Sequence, residues 1–368
     1  MSKMNRKQFF KIGLGLSAIL VASKFLFAKK QVPVIKAYTS NEVLKTVKPD
    51  WRGTPLDQDG LFINHEFPWN PDYGQISKFM VERNPQREIK KQDTWRIAVL
   101  KNTEWLNDPS DKIVWLGHAS FFIQLSGTRI LIDPVYGKLP VGKRYSDLPV
   151  DPQLLLNIDY ILVSHAHYDH CDKDSLQLLT ANNPEAQLLT GLKLNEVIGK
   201  WTTNPIHTAG WYQQYNLNDG LQITFLPTRH WANRSLWDTN TSLWGSFMIQ
   251  KGAKTIYYGG DSGHGSHYKD IGELFPSIDV ALIGAGAYAP TWFMGPNHQD
   301  PYDATRAFNT IGGKVFIPFH YGTFDSAYEP MGEPEQLLTN LKSEGKINGD
   351  LRILKLGESL FFGEAFKS

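Results

Sequence analysis

Three histidines and one aspartate fall within six residues of the stretch VSHAHYDHCD, Val163 to Asp172. Imidazole nitrogens and carboxylate oxygens are borderline ligands, suited to zinc and comparable divalent ions. His165 and His167 are two residues apart and point the same way from an extended segment. Asp169 and His170 follow at the start of a predicted helix. One loop therefore offers two metal positions, one with His165 and His167 and the other with Asp169 and His170. Four donors do not complete two sites, so further ligands must come from elsewhere in the chain.

The sequence offers three in matching contexts, each just after an apolar run. His230 follows ITFLPTR, Asp261 follows TIYYGG and His320 follows VFIPF. Placing them requires strands that end at one edge of a core. YILVS at 160–164 is short, apolar and β-prone and reads as a buried strand leading into the loop. VALIG at 280–284 and VFIPF at 315–319 read the same way. IVWL, FFIQL and RILID form a run of strands with a tight turn at Ser126-Gly127, and SFMIQKGAKTIYYGGD repeats the pattern with Lys251-Gly252 at the turn. The two units end on Asp133 and Asp261. Helices are expected for DSLQLLTAN from 174, for DATRAFNTI before Gly312-Gly313, and for PEQLLTNLKSEG ending at Gly345. Hairpins mixed with helices, without strict βαβ alternation, argue for an α+β fold of sheets covered by helices.

Composition narrows the function classes. The 368 residues include 38 basic and 37 acidic side chains, which gives no electrostatic case for binding nucleic acid. A single cysteine, Cys171, excludes an intramolecular disulfide and a CxxC metal site. No GxSxG elbow or HxKxxxxD motif is present, which fits a metal route. Residues 1–30 carry Lys3, Arg6, Lys7 and Lys11 before the apolar run Ile12 to Ser23 and read as a signal peptide or membrane anchor. NRKQFFKIG resembles a twin-arginine signal with one arginine missing. An amphipathic cap helix is the alternative. The expected location is exported or inner-membrane-anchored, facing the periplasm in a bacterium. Residues 31–110 show no catalytic motif and are expected to pack on the core as an extension. Residues 111–368 form the expected catalytic domain.

HAHYDH resembles the HxHxDH signature of the metallo-β-lactamase superfamily. That resemblance implies a four-layer αββα sandwich with a binuclear metal site. It also implies roles: His165, His167 and His230 on the first ion, Asp169, His170 and His320 on the second, and Asp261 bridging. Two Zn²⁺ are expected, with Fe or Mn as alternatives. His118 in WLGHAS reads as a supporting residue, and Asp133 in LIDP as a carboxylate that orients a ligand histidine. Cys171 reads as a small buried hydrophobe. His264 and His267 either line the site or are merely exposed, and His207 receives no role.

TRHWANRSLWDTNTSLWGSF, GDSGHGSHYKDIGELFPSIDVALIGAGAY, PTWFMGPNHQDP and FHYGTF together resemble the N-acylphosphatidylethanolamine-hydrolysing phospholipase D family, over roughly residues 111–330. The resemblance implies a phospholipid substrate, cleaved to phosphatidic acid and an N-acylethanolamine, and a membrane surface as partner. Two ions sharing a water lower its pKa and make hydroxide available to attack phosphorus near neutral pH. Asp261 and Asp169 would serve the chemistry, with His298 in a supporting role at the substrate phosphate. Tyr288, Trp292, Phe293 and Met294 make either an apolar lip for acyl chains or ordinary packing, and Trp231, Trp237 and Trp244 pose the same choice. A lactonase or small-molecule phosphodiesterase is the competing reading, and a metal-containing binding protein without turnover is a third.

Overall fold

The computed structural model describes residues 34–64, 66, 73–140, 142–235 and 237–365. The signal or anchor reading of residues 1–30 lies outside them. No described helix is long and apolar enough to cross a membrane. The chain divides into two compact units. The helix Tyr73–Val81 belongs to the smaller one and carries an i,i+4 ion pair, Lys78–Glu82. Every other element described below lies in the larger unit.

Two sheets face each other with helices outside them, the four-layer α+β sandwich. The first runs in the order Ser359–Phe361, Lys112–Gly117, Ser120–Leu125, Thr128–Ile132, Tyr160–Val163, Gln187–Gly191 and Ile206–Ala209. The second runs Asp350–Leu351, Val315–Phe319, Val280–Gly284, Lys254–Tyr258, Ser246–Lys251, Leu221–Leu226, Gln213–Gln214 and Lys45–Thr46. Each sheet repeats one central scheme: three antiparallel strands including a hairpin, and three more added in parallel beyond them. The remaining strands, Ser359–Phe361 in the first sheet and Gln213–Gln214 and Lys45–Thr46 in the second, pair antiparallel at the other edge.

Ser126 and Gly127 make the first hairpin turn as expected, both with positive φ (47° and 81°), the backbone a two-residue turn of this twist requires. The second turn falls one residue later than expected. Lys251 still pairs with Lys254, so Gly252-Ala253 makes the turn.

Parallel neighbours need crossovers, and helices supply them. Lys173–Asn182 starts at Asp172, whose side chain accepts from Ser175 N. Pro301–Ile311 starts at Asp300 with Pro301 in its first turn and stops at Gly312 in the left-handed conformation. Glu333–Ser343 makes the third expected helix. His267–Leu274, unexpected from the sequence, makes another, burying His267, Tyr268 and Ile271. The crossovers leave the C-terminal ends of the parallel strands at a common edge.

Between the sheets, Phe319 lies 5.3 Å from Tyr258 and 5.6 Å from Phe121, centroid to centroid. Burying such a ring contributes about 1.5–3 kcal/mol. Described residues 34–64 and 84–110 belong to the same unit as the sheets. Lys45–Thr46 adds an edge strand against Gln213–Gln214, and Phe62, Ile97 and Trp105 are buried in the core.

Candidate metal centre

The strand Tyr160–Val163 ends under a buried carboxylate. Asp133 Oδ1 accepts from Ser164 N (2.7 Å). Its Oδ2 accepts from Ser164 Oγ (2.5 Å), Tyr258 Oη (2.6 Å) and His170 Nδ1 (2.7 Å). The Ser164 hydroxyl, having donated to Asp133, accepts from His165 Nδ1 at 3.0 Å. His230 Nδ1 donates to Asn297 O at 3.1 Å. These outer bonds fix the tautomers: His165, His170 and His230 all turn Nε2 inward.

His167 turns Nδ1 inward instead. That atom lies 2.9 Å from His165 Nε2 and 3.1 Å from His230 Nε2. The three rings stand nearly perpendicular to one another, at 81°, 81° and 88°. Burial pulls the pKa of His165 and His230 well below the ordinary value, and that of His167 down to about 4. Three neutral imidazoles that share a focus do not satisfy one another. A divalent ion held at about 2.0–2.1 Å by tetrahedral nitrogens spaces them by roughly 3.3 Å, so the donor set fits a metal.

The second focus has a different charge. Asp169 Oδ2 lies 3.7 Å from His320 Nε2 and 3.9 Å from His170 Nε2, and it accepts from His118 Nε2 at 3.0 Å. His170 Nε2 and His320 Nε2 are 3.4 Å apart. Asp261 spans both groups. Its Oδ2 lies 3.2 Å from His170 Nε2, 3.7 Å from His230 Nε2 and 3.9 Å from His165 Nε2, while Oδ1 lies 3.1 Å from His320 Nε2.

Burial alone would raise the Asp169 and Asp261 pKa values, yet His170 and His320 draw both well below the carboxylate range, joined at Asp169 by His118. In return the two carboxylates outweigh burial and push His170 well above its ordinary value and His320 up to about 9. Without an ion, protons on these two histidines neutralise the acidic groups. A cation would replace them.

The structure thus brings all seven expected ligand residues to one place. His298 joins its rim, with Nδ1 3.8 Å from Asp261 Oδ2 and its ring 5.2 Å from that of His230. Burial lowers its pKa to about 4, so it is neutral near pH 7. His118, Asp133 and His320 all adopt left-handed φ (51°, 40° and 70°), a conformation costing about 1–3 kcal/mol each for non-glycine residues and common around functional sites.

Other residues fall outside the cluster. His207 is exposed on its strand. His264 accepts from Arg229 Nη1 through its carbonyl in the neighbouring loop, and His267, the first residue of the helix after it, has Nε2 3.2 Å from Ser262 Oγ. Cys171 is buried and its thiol is pushed up to about 12. Trp244 packs in the core and donates to Thr228 O, and Tyr288 donates to Glu333 Oε1. Trp231 packs against His167 at 4.7 Å, Trp237 is exposed, and Trp292, Phe293 and Met294 are half-buried on the short helix Thr291–Met294 before His298, where a loop was expected.

Sequence reasoning missed several supports. Ser164, one residue before His165, and the carbonyl of Asn297, one residue before His298, orient ligand histidines. Asn64, in the stretch without a motif, donates to His230 O at 2.8 Å and accepts from His230 N at 3.3 Å. Only its distance in space to His230 reveals it.

Residues 128–321 match the family described as the beta-lactamase superfamily domain. The chain is 32% identical over 239 residues to N-acyl-phosphatidylethanolamine-hydrolyzing phospholipase D 1 of Caenorhabditis elegans, covering 61% of this chain and 66% of that protein. The chain thus spans just under two thirds of that relative's length. It is 30% identical over 227 residues to a UPF0173 metal-dependent hydrolase of Carboxydothermus hydrogenoformans, covering 60% of this chain and 89% of that one. The solved structure of Igni18, a metallo hydrolase from Ignicoccus hospitalis, shares the fold with a TM-score of 0.54 at 24% identity, over 69% of this chain and 98% of the other.

Proposed function

Because the chain belongs to the beta-lactamase superfamily and is a metal-dependent hydrolase of that fold, we propose that it is a two-zinc phosphodiesterase cleaving N-acylphosphatidylethanolamine-type phospholipids to phosphatidic acid and N-acylethanolamine. The observation that carries the two-metal reading is Asp261, whose two oxygens reach the histidines of both groups. His165, His167 and His230 would hold one ion, Asp169, His170 and His320 the other, and Asp261 would bridge them. Ions so placed supply charge stabilisation for phosphoryl oxygens and a water of lowered pKa.

The protein's own groups do the rest. Asp133 and Asn297 O keep the inward lone pairs of His170 and His230 aimed. His118 holds one oxygen of Asp169 by donating to it. Neutral His298 stands at the rim, where its N–H can donate to a phosphate oxygen. The half-buried Trp292, Phe293 and Met294 beside it offer apolar surface to an acyl chain. The lipid substrate is supported by the similarity to the nematode phospholipase D, and membrane contact follows from that substrate. The basic and apolar residues 1–30 support export or anchoring at a membrane.

Purified protein assayed for metal content and against a panel of N-acylated phospholipids, other phosphodiesters and lactones tests this reading. Two ions per chain, with release of phosphatidic acid from the N-acylated lipid, are expected. Opening of lactones in preference to lipid cleavage would overturn the substrate. Full lipid turnover with one ion per chain would overturn the two-metal site. Iron or manganese in place of zinc would correct the cofactor alone.

A further inference from the structure

Arg234 follows His230 by four residues, and its side chain turns back onto the HxHxDH loop. Its Nη1 donates to Ala166 O at 2.9 Å and to Cys171 O at 2.6 Å. One Nη1 carries two hydrogens, so it serves both carbonyls at once. Those carbonyls bracket residues 167–170. The guanidinium lies 4.1 Å from the ring centre of Tyr168, within the loop, and 4.9 Å from that of Trp201 on a separate segment. Tyr168 Oη donates back to Arg234 O at 2.9 Å. Arg234 is itself held: its N and that of Ser235 both donate to Asp238 Oδ1, at 2.9 and 2.8 Å.

The loop needs such a brace at one ligand in particular. His165, His170 and His230 are each aimed by a hydrogen bond on the outer ring nitrogen. His167 Nε2 and His320 Nδ1, the outer nitrogens of the other two, are buried and meet no hydrogen-bond partner among the described residues, and of these two histidines only His167 lies in the loop. Its ring orientation rests on the packing of Trp231 and on the backbone that carries it.

We propose that Arg234 is a positioning residue that staples both ends of segment 166–171 and thereby aims His167 at the first metal position. The inference rests on the two-metal reading above. It assigns Arg234 no contact with substrate. Arginine suits the task because its planar group stacks on the two rings while it donates, whereas a lysine ammonium keeps the charge but does not stack.

The test compares wild type with Arg234→Met, Arg234→Lys and Arg234→Ala. Cobalt-loaded proteins are read by their d–d spectra and by the rate of metal loss to a chelator, alongside kcat and KM. Arg234→Met is expected to lose the first ion about 10- to 100-fold faster, the range for losing a group that orients a ligand. Its d–d bands should shift and kcat fall at unchanged KM. Arg234→Lys should lie between, and ethylguanidinium should partly restore retention in Arg234→Ala. A folded Arg234→Met or Arg234→Lys with wild-type metal loss and spectrum overturns the proposal.

A second measurement needs no ion. His170 N and Cys171 N donate to His167 O at 3.1 and 2.8 Å, so their amide exchange reports on the loop directly. Faster exchange in Arg234→Met than in wild type is expected, and equal exchange overturns the staple. If wild type binds no metal, the proposed function fails while the exchange comparison still decides the staple.

Discussion

His170 donates through Nδ1 to Asp133 Oδ2 at 2.7 Å, and its other nitrogen stands 3.2 Å from the bridging carboxylate of Asp261. One ring thus connects a wholly buried acid to the proposed metal pair. Asp133 also receives Ser164 and Tyr258, so four donors converge on one side chain.

Asp133→Asn turns an amide NH₂ toward one or more of those donors. Weakening of metal affinity by about 10- to 100-fold is expected, the usual cost of losing a partner that orients a ligand. Chelator competition on the folded variant checks it. Unchanged affinity would remove Asp133 from the support of the site.

Asp169→Asn and His320→Ala each take a donor from the second focus while leaving the interleaved core of Phe319, Tyr258 and Phe121 in place. Soluble, folded proteins with turnover reduced roughly 10³-fold or more are expected, since one ion supplies several kcal/mol of transition-state stabilisation. Circular dichroism and steady-state kinetics together decide it. Near-normal activity in either would contradict the second metal position.

His320 holds its proton to about pH 9 in the ion-free chain, above its ordinary 6.5. That proton must leave when Nε2 takes an ion. Apparent affinity at the second position should therefore rise with pH through the neutral range toward about pH 9, with protons released on binding. In ion-free protein the sign reverses. The raised pKa contributes stability that is complete below about pH 6.5 and is lost as pH climbs through about 9. Calorimetric titration in buffers of different ionisation enthalpy measures the first effect, and thermal unfolding of chelated protein the second. Metal affinity independent of pH between 6 and 9 would count against both.

His298 touches the cluster at its rim and is neutral near pH 7 because burial lowers its pKa to about 4. His298→Gln keeps a donor at similar reach, and His298→Ala removes it. A fall in kcat of about 10²-fold for alanine, smaller for glutamine, with metal content unchanged, is expected. Metal loss in either variant would recast His298 as a ligand.

What the chain states locally was legible before any fold. The HxHxDH stretch, the apolar runs before His230, Asp261 and His320, the Ser126-Gly127 turn and the capped helices each depend on neighbours within a few residues. Local spacing and turn chemistry suffice for such features. The helix His267–Leu274 was not legible, because a sequence with His267 and Tyr268 on its buried side shows too few apolar positions to mark it.

Which nitrogen each histidine turns inward, and what holds the other one, belongs to the tertiary structure. Asn64 and His230 are 166 residues apart, Tyr258 and Asp133 are 125, and Arg234 and Ala166 are 68. Those contacts arise only when two sheets bring their strand ends to a common edge. The types and order of the donors are therefore written in the chain, while their aim comes from packing between segments that carry no trace of one another.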